Sequence, residues 1–143
     1  YLYLCIDTAL LLRNLGGDAV LAGTALATLA EVAATIAPSG KQNSFAAHGR
    51  AGFMLAECGD GQPRTLAGAF ARSAVGDDLM AASIAELDRF RTALDNAYGV
   101  GDRSERRMQV GAAGTLADIV AFCREAATCQ PSCPSPWSPR WPR

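Results

Sequence analysis

The chain has 143 residues and a mass of 14.9 kDa, one domain's length and enough to bury about 68% of its unfolded surface. Half of it is apolar and mean hydropathy is +0.10, which excludes a wholly disordered chain; no apolar run of about 18 residues is free of polar breaks, which argues against a membrane span. Thirteen basic residues against fourteen acidic ones leave a net charge of −1, which excludes a strongly basic whole-chain nucleic-acid binder but not a local basic site.

Tyr1 to Thr8 is rich in β-formers, with tyrosines at 1 and 3, and predicts a strand with one buried face. The apolar run Ala9 to Leu15 then predicts a short helical turn ending at Gly16 and Gly17. Asp18 is a good N-cap for a long Ala/Leu/Val helix reaching Ala37. Leu21, Ala25, Leu29, Val32 and Ile36 step by four, four, three and four, so they lie on one helical face; the opposite face is mostly Ala and Thr with Glu31 as its only charge, and the helix is expected to be covered on more than one side. Pro38 stops the helix. Residues 39–51 are dense in polar donors and lose apolar periodicity. Gly52 to Cys58 predicts a second strand, buried on both faces, and Gly59 to Pro63 is a turn by composition. Leu66 to Phe70 is apolar and ambiguous between strand and helix.

Asp77 and Asp78 open another helix, with Met80, Ile84, Leu87, Leu94 and Tyr98 as its buried stripe. Asp88, Arg89, Arg91 and Asp95 fall on the wet side, and Gly99 and Gly101 end it. Arg103 to Arg107 carries three arginines and one glutamate and reads as a solvated charged loop able to touch phosphate. Thr115 caps a further helix whose Leu116, Ile119, Val120 and Cys123 share a face. Residues 127–143 form an irregular tail with five of the seven prolines and both tryptophans, which excludes a regular element there. The expected domain spans 1–126. The expected fold class is α+β, with Ala-rich helices packed on a small antiparallel sheet; an all-helical bundle is the competitor, because Ala-rich segments dominate.

Five cysteines stand at 5, 58, 123, 129 and 133. The number is odd and Cys129 and Cys133 have no second metal half-site, so free thiols and no metal are expected. The chain opens at Tyr1 with no leader pattern, and is expected to be part of a longer or processed protein.

The most informative stretch is Pro38 to His48. Gly40 lets a partner approach the backbone. Lys41, the only lysine, supplies a point charge suited to phosphate. Gln42, Asn43 and Ser44 add donors for phosphate or sugar oxygens. Phe45 offers a stacking face, His48 a donor or partial charge. The plain alternative is a polar loop anchored by Phe45. The stretch is not a phosphate-binding P-loop, because the upstream glycine and the Ser or Thr after the lysine are missing. Catalysis is poorly supported: His48 is the sole histidine, Ser44 lies near it without a Gly-x-Ser-x-Gly frame, and capping or turn chemistry accounts for Asp77, Asp78, Glu57 and Asp60. No cofactor is expected, and the chain is not expected to be an enzyme.

The run Pro38-Ser39-Gly40-Lys41-Gln42-Asn43-Ser44-Phe45-Ala46-Ala47-His48 resembles the C-terminal part of the CasC-family backbone subunit of the type I-E CRISPR Cascade complex. Tyr1-Leu2-Tyr3-Leu4-Cys5-Ile6-Asp7-Thr8 is similar to that family's tyrosine-rich strand. Asn14-Leu15-Gly16-Gly17-Asp18 is similar to its turn into the long helix. Gly61-Gln62-Pro63 with Ala67-Gly68-Ala69-Phe70 resembles the segment after the motif. Leu87-Asp88 and Ala97-Tyr98-Gly99 resemble the ends of its penultimate helix. The resemblance covers roughly residues 1–125 in order.

It implies a partial RNA-recognition-motif-like (ferredoxin-like) palm. It implies a bacterial, cytoplasmic antiviral-defense role without catalysis, in which the subunit holds CRISPR RNA by its backbone for pairing with target DNA. Its implied partners are that RNA, target DNA, neighbouring copies of itself and other Cascade subunits, with no membrane. Gly40, Lys41, Gln42, Asn43, Ser44, Phe45, His48 and Arg50 would face the RNA. The strand at 1–7 is then expected to pair with the strand near 52–58. The competing reading is a mostly helical small-ligand-binding regulatory domain, with helices in place of both strands and a closed apolar pocket.

Overall fold

The computed structural model describes residues 1–36, 49–99 and 103–128. These divide into two compact units, one of residues 1–6 with 61–99, the other of 7–60 with 103–128.

In the second unit, α1 (Thr8–Asn14) starts where the Asp7 carboxylate accepts the Leu10 N–H at 2.8 Å. Gly16 and Gly17 then take φ of +67° and +85°, and their N–H groups bond the carbonyls of Arg13 and Leu12. This satisfies the helix end in a conformation that favours glycine. α2 (Ala19–Thr35) follows, capped by Asp18, which accepts the Leu21 N–H at 2.9 Å. β1 (Phe53–Gly59) and β2 (Arg103–Gln109) pair antiparallel, Phe53 opposite Gln109 and Gly59 opposite Arg103. α4 (Leu116–Glu125) closes the unit. Its cap is reciprocal: Asp118 N–H donates to Thr115 Oγ1 at 3.2 Å, and the Asp118 carboxylate accepts the Thr115 N–H at 2.9 Å. This is a capping box.

The core of this unit lies between α2, α4 and one face of the sheet. Ala30, Met108 and Ile119 are buried together, with Met54, Ala56, Leu116 and Cys123 packed on them. Ala22, Leu26 and Ala127 form a second cluster that receives Leu11, Leu12 and Leu15. In the other unit, the single 3-10 turn Ala67–Phe70 packs against α3 (Leu79–Tyr98). Asp78 caps α3 through the Ala81 N–H, and Gly99 ends it at φ +84°. Leu66, Ala69, Ile84 and Leu87 are buried. Gly68 admits the Phe90 ring, whose Cζ would lie 2.5 Å from a Cβ placed there. Among the described residues no helix is long and apolar enough to cross a membrane.

The α+β class holds, and the arrangement is compatible with part of a ferredoxin-like fold. Four expectations are corrected. Residues 1–7 form no strand; Tyr1 instead accepts the Leu66 N–H on its hydroxyl at 3.0 Å and sets its ring 5.3 Å from Phe70. The partner of β1 is therefore β2, drawn from the arginine-rich segment read as a loop. It lacks apolar alternation because charge takes over its side-chain pairing: the Arg103 guanidinium lies 3.3 Å from the Glu57 carboxylate, and that of Arg107 stacks 4.7 Å from the Phe53 ring.

The burial of α2 is turned relative to the stripe of large residues. Ala22, Gly23, Leu26, Ala27, Ala30 and Ala34 are buried, while Leu21, Leu29, Val32 and Ile36 are exposed. A Cβ on Gly23 would meet the Arg124 carbonyl oxygen at 2.8 Å. Backbones this close leave room only for small side chains at the contact. On α3, Met80 and Tyr98 are exposed. Arg91 and Asp95, assigned to the wet side, are half-buried, and Asp95 is ion-paired with Arg64.

Candidate nucleic-acid interface

Of the residues singled out as a binding loop, Gly40, Lys41, Gln42, Asn43, Ser44, Phe45 and His48 lie outside the described residues, as do Cys129 and Cys133. Arg50 is described and exposed in irregular chain. The Ile36 N–H bonds the Val32 carbonyl at 2.9 Å, and the Ala51 N–H bonds the Ala34 carbonyl at 2.9 Å. Both carbonyls are on the last turn of α2, so Ile36 and Ala51 lie close together, and Arg50 directly precedes Ala51.

The second basic feature is β2. Its alternate residues face opposite sides of the sheet. Met108 and Arg106 lie on the side covered by the helices, where the exposed Arg106 guanidinium stands 5.5 Å from the Phe122 ring of α4. Arg103, Glu105 and Arg107 take the other side with Phe53, Leu55 and Glu57. Arg103 reaches Glu57 at 3.3 Å and Glu105 at 3.9 Å. These pairs make the strand a mixed-charge ladder instead of a purely basic stripe. The turn after β2 is tight: Gly114, at φ +77°, lies under the Arg107 carbonyl oxygen, which a Cβ would approach to 1.9 Å.

Beside Phe122 an open hollow of about 280 Å³ is lined by Cys58, Ser104, Phe122, Glu125, Ala126 and Thr128. The Ser104 hydroxyl donates to the Cys58 carbonyl at 3.4 Å and that of Thr128 to the Glu125 carbonyl at 2.9 Å. β1 is a strand where the helical-domain reading expects a helix. Burial pushes the Cys123 thiol up, away from a reactive thiolate. The hydroxyl and backbone N–H of Thr115 hold the exposed Asp118 carboxyl below the usual aspartate range. Among the described residues no group of three or more His, Cys, Asp or Glu is placed to hold a metal ion.

Sequence reasoning missed β2 as an element. The available signals were weak: glycines at 99, 101 and 111 bracket it, and its charges complement Glu57 on β1. A family model described as CT1975-like protein, of the Cas proteins, matches residues 1–125. Among curated proteins none matches the chain.

Proposed function

Because the chain belongs to the CT1975-like family of CRISPR-associated proteins, we propose that it is a non-catalytic RNA-binding backbone subunit, or part of one, in a Cascade interference complex of type I-E. Membership gives the chain a CRISPR-related role. The finer reading rests on the Gly40-Lys41-Gln42-Asn43-Ser44-Phe45 block, which falls inside the matched stretch between α2 and β1.

The observation that carries the proposal is the family match over nearly the whole described chain. The chemistry of the block supports it. One lysine and three amide or hydroxyl side chains in succession supply phosphate and sugar contacts without base selectivity. A subunit whose guide RNA selects the target by pairing needs that kind of contact. Phe45 would stack on a base, His48 and Arg50 would extend the surface toward the loop's base, and target DNA would be held through the RNA. Neighbouring copies and other complex subunits would be the protein partners, in the bacterial cytoplasm.

The test uses the protein assembled in its complex. Binding of labelled single-stranded CRISPR RNA is measured across a salt series, wild type against Lys41→Ala combined with Asn43→Ala. Weaker binding is expected, with the salt slope shallower by about 0.7 for the one lost lysine–phosphate contact. Superimposable curves from a variant that still folds would refute the assignment of this loop to the RNA.

A further inference from the structure

We draw no further inference here: the strongest candidate, the outward apolar face of helix α2 formed by Leu21, Leu29, Val32 and Ile36, carries nothing because nothing in the structure shows what covers it.

Discussion

Leu21 and Leu26 stand five residues apart on α2 and give opposite predictions. Leu26 is 7% exposed and packs with Ala22 and Ala127; Leu21 is 50% exposed. Replacing either by alanine removes three carbons and leaves an equal or better helix former. At Leu26 the three carbons are worth about 2.4 kcal/mol of transfer free energy at roughly 0.8 kcal/mol each. The cavity left between α2 and α4 adds to that, so the loss is about 3–4 kcal/mol. At Leu21 half the side chain is already wet and no closed cavity forms, so the loss is about 1 kcal/mol or less. Urea unfolding of the full chain, followed by far-ultraviolet circular dichroism, measures the difference. With a slope of about 2 kcal/mol per molar, Leu26→Ala lowers the midpoint by about 1.5–2 M and Leu21→Ala by no more than about 0.5 M. Equal shifts, or a larger one for Leu21→Ala, would refute the orientation of α2 and restore the stripe of large residues as its buried face.

Four further predictions test the contacts that set this geometry. Gly23→Ala gains about 1 kcal/mol of helix propensity but pushes a methyl against the Arg124 carbonyl; a net loss of about 1 kcal/mol is expected from overpacking, rising for Gly23→Leu, both read by thermal unfolding. Gly114→Ala forces a side chain into a left-handed φ and onto the Arg107 carbonyl, so destabilisation above about 2 kcal/mol is expected by the same assay. Thr115→Ala removes the α4 cap at a cost of about 1 kcal/mol, in urea titrations near neutral pH. The folded Asp118 carboxyl titrates lower than its unfolded counterpart. Its contribution is therefore fully present above the unfolded value and is lost as pH falls through the folded one, in the acid range below about pH 4. Asp118→Asn should flatten that part of the stability profile, and an unchanged acid limb would count against the capping box.

The caps were legible because they are local. Asp18, Asp78 and Thr115 each bond an N–H three residues on, and a short polar side chain before an apolar run has few other uses. β1 was legible from its apolar run between turn residues, and the α4 face from the spacing of Leu116, Ile119 and Cys123. The role of 1–7 was not: the same β-forming composition serves a strand or, as here, irregular chain whose Tyr1 reaches Leu66. The candidate site was legible only as chemistry, in the donors from Gly40 to Ser44. What the structure adds is that Ile36 and Ala51, which flank it in the sequence, both bond carbonyls of the last turn of α2.

By itself the sequence determined the helix starts, the glycine stops, the α+β class and the kinship of residues 1–125 with a family of CRISPR-associated proteins. These depend on residues near one another along the chain. Only the tertiary structure decided which face of α2 is buried and which segment pairs with β1. The α2 face is set by how closely α4 approaches, and at the Gly23–Arg124 contact that distance admits small residues while large ones point outward. The pairing of β1 is set across 46 residues by a backbone ladder joining Cys58 to Ser104. There Arg103 and Arg107 meet Glu57 and Phe53, so charge complementarity stands where hydrophobic alternation usually marks a strand.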